Sequence, residues 1–178
     1  KNMSEEYLRT VLQTLLGERF DLQPAALQKY PPALLVPVEL IVTVCQVLND
    51  EFGFNALSDL TASDYWPEQE PRFHAVYNLY SHSHNVRLCL RVPLNGDAPS
   101  LPTVESIYYN ANWHERELFD MFGIDIAGHS DLRRIIMPAD WVGHPLRKDY
   151  PLGYEEPQFT FNFDEIDRRK HKAGYEEA

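Results

Sequence analysis

Two cysteines in 178 residues, Cys45 and Cys89, are far too few for a disulfide framework, and both lie in apolar runs. An iron–sulfur cluster normally takes four cysteine ligands, so this chain alone should hold none. Cations are also scarce. Sixteen Lys and Arg stand against 27 Asp and Glu, a net charge of −11. That balance argues against a general nucleic-acid or anionic-membrane binder, since both need a cationic face. No segment reaches the ~18–20 apolar residues of a membrane span. The longest apolar stretch, Leu34 to Leu48, is broken by Pro37, Glu39, Thr43 and Gln46. The N-terminus carries Glu5, Glu6 and Arg9 where a signal peptide would be apolar. Gly-rich phosphate loops, Ser–His–Asp-type motifs and CxxC pairs are missing too. The expectation is a soluble, cytosolic protein that meets a membrane only through partners.

What is present reads as one α+β domain with a surplus. A chain of this length buries roughly 70% of its unfolded surface without a staple. A first helix is expected over 4–16, with Ser4 as cap, a Leu8-Val11-Leu12-Leu15 stripe and Gly17 as stop. Ala33 to Val36 suits a short strand. Pro37 opens a second helix lined by Leu40, Ile41, Val44, Val47, Leu48 and Phe52, and Gly53 ends it. An irregular strand follows over 54–65. Residues 73–80 and 86–92 both alternate with period two around the polar linker 81–85, which predicts a hairpin. Its second strand has one apolar face, and Arg87 and Arg91 on the other. Helices should therefore cover one side of the sheet only.

Thr103 can cap a short turn. Asn112 followed by Glu115 is a capping-box spacing for a helix over 113–122 that stops at Gly123. After Met137 the periodicity ends. Residues 138–178 combine Pro138, Pro145, Pro151 and Pro157 with Trp141, Tyr150, Tyr154, Phe159, Phe161, Phe163 and Tyr175. This is an arm on another surface or one folded back on its own domain, and the residues alone leave both open.

Three clusters carry candidate chemistry. His82 and His84 form an HxH pair, but they sit in the hairpin turn without a third ligand; turn-exposed histidines are the better reading. His114-Glu115-Arg116-Glu117 lacks the second histidine of a zinc protease, whose place is taken by Leu118. Glu115 and Glu117 point to different sides of a helix, whereas Arg116 and Asp120 are spaced to pair. The third cluster is basic. Between Gly128 and Lys148 lie His129, Arg133, Arg134, His144, Arg147 and Lys148, opposed only by Asp131 and Asp140. Arginine forks suit carboxylates, so a buried network with Glu115, Glu117 and Asp120 is expected beside the plainer reading of a solvated loop.

The run Glu115-Arg116-Glu117-Leu118-Phe119-Asp120-Met121-Phe122-Gly123-Ile124, then His129, Arg133 and Ile135-Ile136, resembles the 30 kDa subunit (the C subunit) of bacterial respiratory NADH:quinone oxidoreductase, complex I. Met137 to Trp141 and Gly143 to Leu152 resemble that family's next block. Ala111-Asn112-Trp113 upstream and Tyr154 to Phe163 downstream fit as well. The resemblance implies a mostly antiparallel sheet of about four strands with helices on one face, then an extended C-terminal arm. It implies an α+β domain over 1–137 and an arm over 138–178 lying on the D subunit of the complex, whose interface with the B subunit forms the quinone pocket. It implies a non-redox, structural part of the peripheral arm, on the cytoplasmic side of the cell membrane. FMN, iron–sulfur clusters and quinone would belong to other subunits, and no catalytic residue is expected in this chain. Carried over onto this sequence, Glu115, Arg116, Glu117, Asp120, Gly123, His129, Arg133, His144, Arg147, Lys148 and Asp149 become a polar network at the interface. Two rivals stay open: the equivalent subunit of a ferredoxin- or hydrogenase-linked membrane complex, and a freestanding metal enzyme using the histidine clusters.

Overall fold

The computed structural model describes residues 3–20, 22–24, 33–96, 98–151 and 168. Residues 25–32 and the aromatic anchors from Tyr154 onward lie outside the described residues, as does the Ser4 side chain. Helix α1 (Met3–Gln13) ends in one wider turn, Thr14–Glu18, in which the Arg19 N–H bonds the Thr14 carbonyl at 3.0 Å. Strands β1 (Gln23–Pro24) and β2 (Ala33–Leu35) follow. Pro37 precedes a single 3₁₀ turn, Val38–Leu40, and α2 runs Ile41–Asp50. The chain then forms β3 (Ala56–Asp64), β4 (Phe73–Ser81), β5 (Val86–Leu94), β6 (Ser100–Pro102), α3 (Ala111–Phe122) and β7 (Asp125–Ala127).

The main sheet has the order β1-β2-β5-β4-β3. Since β1 is two residues long, four strands carry it. All pairs are antiparallel except β2 with β5, and β6 and β7 form a separate parallel pair. The predicted hairpin is β4–β5, in register from Phe73 opposite Leu94 to Ser81 opposite Val86. A bulge between Leu57 and Asp59 accounts for the irregularity expected in β3.

Burial follows the period-two pattern. Phe73, Ala75, Tyr77 and Leu79 of β4, with Val86, Leu88, Leu90, Val92 and Leu94 of β5, face one core. Val11 and Leu15, then Ile41, Val44 and Leu48, then Leu118, Met121 and Phe122 cover that face from the helical side. Each such side chain is worth about 1.5–3 kcal/mol when fully buried. Helices therefore lie on one face, as the arginines of β5 imply. Arg87 is exposed and rests over the Tyr80 ring, and Arg91 lies over Tyr65.

The histidines of the hairpin turn are packing groups. His84 stacks flat on Tyr7 of α1 with centroids 3.7 Å apart, and His82 meets Tyr80 edge-on. The turn thereby ties α1 to the hairpin, and the two imidazoles engage different neighbours.

Candidate functional site

Helix α3 is the centre of the polar chemistry. It begins at Ala111, so Glu115 is its fifth residue and too deep to cap it. The capping-box reading is therefore corrected. Glu115 is fully buried and caps a neighbouring turn instead, accepting from Thr103 Oγ1 at 2.6 Å and from the Val104 N–H at 2.7 Å. Thr103 in turn accepts the Glu105 N–H, which is the cap expected of it. Burial raises the Glu115 carboxyl above its ordinary value despite these bonds.

His129 closes this corner. Its side chain is fully buried, and its Nδ1 accepts the Asp131 N–H at 3.0 Å. An accepting Nδ1 is unprotonated, so the proton sits on Nε2, which donates to the Asn112 carbonyl at 3.1 Å. Nε2 also lies 3.8 Å from the Glu105 carboxylate and 3.9 Å from that of Glu115. Ligand atoms of these three residues fall within 4.8 Å of one another, a spacing that a metal ion could bridge. The hydrogen bonds fit a lock better. Glu105 already accepts from Asn112 Nδ2 and from the N–H and hydroxyl of Ser130, and the bond with Asn112 holds it below the usual carboxylate range. A cation would have to displace the Nε2 proton and break the bond to Asn112.

Asp120 is the second buried carboxylate. It does not pair with Arg116. Its Oδ2 accepts the N–H groups of Ile135, Ile136 and Met137 at 3.0, 2.7 and 2.8 Å, and its Oδ1 accepts Arg134 Nη1 at 2.6 Å. Burial alone would raise its pKa, but these donors hold it below the usual range. Arg134 extends the chain of contacts, donating from Nη2 to the Trp141 and Gly143 carbonyls at 3.0 and 3.1 Å. Arg116 instead donates to the Arg133 and Arg134 carbonyls at 3.0 and 3.1 Å.

The C-terminal end of α3 is covered by residues 144–147. His144 Nδ1 lies 3.0 Å from the Asp120 carbonyl, the Leu146 N–H bonds the Met121 carbonyl, and Arg147 reaches the Phe122 carbonyl at 3.5 Å. These satisfy acceptors that a helix end leaves open. Gly123 is required on two grounds. Its φ is +71°, and a Cβ there would sit 2.6 Å from the His144 ring.

A further hub joins the sheet to the same segment. Arg72 is buried, and its guanidinium bonds Asp64 twice, each at 3.0 Å, and Asp149 at 2.7 and 3.0 Å. The hydrogen bonds from Arg72 hold Asp149 well below the usual carboxylate range. Arg147 adds a bond to Asp149, and the Lys148 N–H donates to Asp64 at 2.8 Å. Residues 141–149 thus rest on the body of the fold, and the Tyr150 hydroxyl turns back within the segment to the Val142 carbonyl.

The structure gathers most of the expected network, in two groups. Glu115, Asp120 and His129 are buried with their partners, and Gly123, His144, Arg147 and Asp149 meet at the end of α3 and at Arg72. Three expected members stay apart. The Arg133 side chain is 74% exposed and, among the described residues, pairs only with Asp131; this corrects its place in a buried network. Lys148 contributes its backbone and leaves its side chain exposed. Glu117 is half-buried with no hydrogen bond or ion pair among the described residues. Sequence reading missed Asp64, Arg72 and Glu105, and put Arg133 in the place that Arg134 fills. The signal for the first two existed: β3–β4 pairing sets Asp64 opposite Phe73, next to Arg72.

On the outside of this network lies an apolar face. Ile136 is 57% exposed, Val142 81% and Leu146 51%, with Trp113 and Ile135 also exposed. The Ile135 and Ile136 N–H groups are held by Asp120, the carbonyls flanking Val142 by Arg134, and the Leu146 N–H by Met121. The backbone is fixed from beneath while the side chains face solvent. Exposed apolar side chains on a fixed backbone have the character of a contact surface, and with the α+β fold they fit a subunit of a larger assembly.

The chain belongs to the 30 kDa subunit family of the respiratory-chain NADH dehydrogenase, complex I: the family model described as "Respiratory-chain NADH dehydrogenase, 30 Kd subunit" matches residues 34–156. It is 50% identical over 136 residues to the C subunit of NADH-quinone oxidoreductase from Roseiflexus sp. (strain RS-1), covering 75% of this chain and 78% of that one. It is 48% identical over 114 residues to the corresponding C subunit of Geobacter sulfurreducens, covering 64% and 70%. Among solved structures, a trypsin-resistant fragment (1–134) of Nqo5 matches with a TM-score of 0.61 and 30% identity, over 71% of this chain and 99% of that one. A chain of an archaeal membrane-bound sulfane sulfur reductase shares the fold, with a TM-score of 0.64 at 19% identity over 90% and 89%. The resemblance carried by residues 111–152 is thereby confirmed. Among the described residues no helix is long and apolar enough to cross a membrane.

Proposed function

We propose that this chain is a non-redox, structural subunit of the peripheral arm of a proton-translocating NADH:quinone oxidoreductase. It docks on the D subunit, close to the B subunit, and supports the quinone-reducing module from the cytoplasmic side. One observation carries this reading: Ile135, Ile136, Val142 and Leu146 are held out in solvent by backbone bonds to buried Asp120, Arg134 and Met121. A rigid apolar face loses little entropy on docking. In this reading FMN, the clusters and quinone sit in other subunits, and the purified chain has no visible absorbance. The test is Ile136→Asp in the full chain. Capture of the D subunit should fall at least tenfold while the urea midpoint stays within 0.3 M, roughly 0.6 kcal/mol at a typical slope. Unchanged capture would remove this face from the interface. Recovery of NADH-binding subunits in the same assembly separates this donor from a ferredoxin- or hydrogenase-linked one.

A further inference from the structure

Arg116 is an arginine beside the network with no ion pair among the described residues. Its Nε and Nη2 are spent on the carbonyls of Arg133 and Arg134, which are neutral acceptors. Its guanidinium lies 5.3 Å from the centroid of the Trp113 ring. Among the described residues no carboxylate lies within ion-pair distance of it, and Nη1 makes no hydrogen bond. Glu117, the next residue on α3, is not within ion-pair distance of Arg116, and the other carboxylates nearby are already committed. Asp131 holds Arg133 through three bonds of 2.5–2.9 Å, Asp120 accepts four donors, and Glu105 is taken by Asn112 and Ser130. The local sum around Asp131 is therefore two arginines against one carboxylate.

The surroundings have the composition of an interface centre. Trp113 is 59% exposed and Tyr109 88%, and Ile135 and Ile136 stand beside the carbonyls that Arg116 grips. A groove of about 500 Å³ opens between Glu105, Tyr109, Asn112 and Trp113. Exposed Trp, Tyr and Arg are the residue types that dominate binding energy once covered. A partner that covered this spot with apolar groups alone would strand a buried charge. A favourable partner must bring an anion.

We infer that Arg116 receives an aspartate or glutamate side chain of the docked D subunit, with Trp113, Ile135 and Ile136 closing around the ion pair. This rests on the docking proposed above and names the chemistry at its centre. The order of construction makes sense of the local geometry. The two carbonyl bonds and the Trp113 face fix the guanidinium before binding, so little rotamer entropy remains to be lost on association.

The test uses the whole complex, immobilised through a subunit other than this one, and follows release of the chain. Arg116→Gln keeps a donor for the carbonyls but removes the charge. It should speed release about thirtyfold or more and flatten the salt dependence of release. Arg116→Lys should fall between. In that variant a carbodiimide should join the introduced amine to an acidic side chain of the D subunit, located by peptide mass spectrometry. If Arg116→Gln releases within twofold of the wild type with an unchanged salt slope, while Ile136→Asp still releases the chain, the docking stands and the carboxylate inference is overturned. If Ile136→Asp also leaves release unchanged, the docking reading fails and takes the inference with it. Coupling to the C-terminal carboxylate of the D subunit, or only within this chain, would also overturn the assignment.

Discussion

Replacing Asp120 tests the reading of α3 most directly. The carboxylate is fully buried and accepts one guanidinium bond and three backbone N–H bonds. Asp120→Ala removes all four acceptor contacts and leaves the partly buried Arg134 without its anion. Hydrogen bonds to a charged group are worth about 1.5–3 kcal/mol each, which sets a ceiling above 6 kcal/mol. The ceiling is not reached, because Ile135 and Ile136 are exposed and their freed N–H groups find water. The comparison is a broken buried pair, about 3–5 kcal/mol. With a urea slope of about 2 kcal/mol/M, the midpoint should fall by about 1.5–2.5 M. Asp120→Asn keeps the shape and one acceptor, so about 2–3 kcal/mol is expected from the same scale. Hydrogen exchange should show the amides of residues 135–137 losing protection in both variants. The pH dependence has a definite sign. The folded pKa of Asp120 is depressed, so its contribution is present above the unfolded value near 3.9 and is lost as pH falls through the folded one. A midpoint shift under 0.5 M for Asp120→Ala would refute the claim that this carboxylate organises the loops. Arg133→Ala is the matched control. Its side chain is 74% exposed, and the urea midpoint should stay where the wild type has it.

Three other outcomes are expected. Arg72→Met should cost about 3–5 kcal/mol by urea melt, because it strands buried Asp64, whereas Asp149→Ala should cost only about 1–2 kcal/mol since that carboxylate is one-third exposed. Gly123→Ala should lose about 2–4 kcal/mol through the left-handed φ and the His144 contact, and in the double variant with His144→Ala the losses should sum to less than the singles, because one clash is shared. Glu115→Gln should gain stability relative to wild type as pH rises from 4 to 7: a carboxyl with a raised folded pKa holds its proton in the native state, so the wild type loses ground as pH climbs through that pKa, and a constant difference across this range would contradict the burial of Glu115.

The sheet was legible because its signal is local. Phe73, Ala75, Tyr77 and Leu79 must all fall on one side of a strand, whatever the rest of the chain does. The end of α3 was legible at Gly123 for the same reason. The partners of the charged residues were not, since an ion pair is decided by tertiary distance. Asp120 is four residues from Arg116 but bonds Arg134, fourteen residues away. The misplaced helix start shows the same limit. Asn112 and Glu115 have the spacing of a cap, yet Asn110 lies one residue before the helix and donates to the Leu57 carbonyl, which ties that end to β3. Once Ala111 is the first helical residue, Glu115 points at Thr103 and the core. Of the two neighbouring arginines, only position 134 faces inward, and nothing in Leu132-Arg133-Arg134-Ile135 distinguishes them without the fold.

The buried carboxylates bear on what this protein can do. A general base needs a free lone pair near a reacting atom and a pKa close to the working pH. Asp120 has its acceptor sites filled by four donors, and its pKa is displaced downward. Asp64 is held likewise by Arg72, Trp66 and Lys148, with its pKa also lowered. Glu115 has the raised pKa of a candidate acid, but both of its oxygens face Thr103 and Val104 rather than solvent. Such groups suit holding loops better than moving protons. What they hold is the apolar rim from Ile135 to Leu146, and the one arginine beside it that still lacks an anion among the described residues. In the docking proposed above, the charge that a partner would have to answer is therefore that of Arg116, which has no anion within ion-pair distance among the described residues.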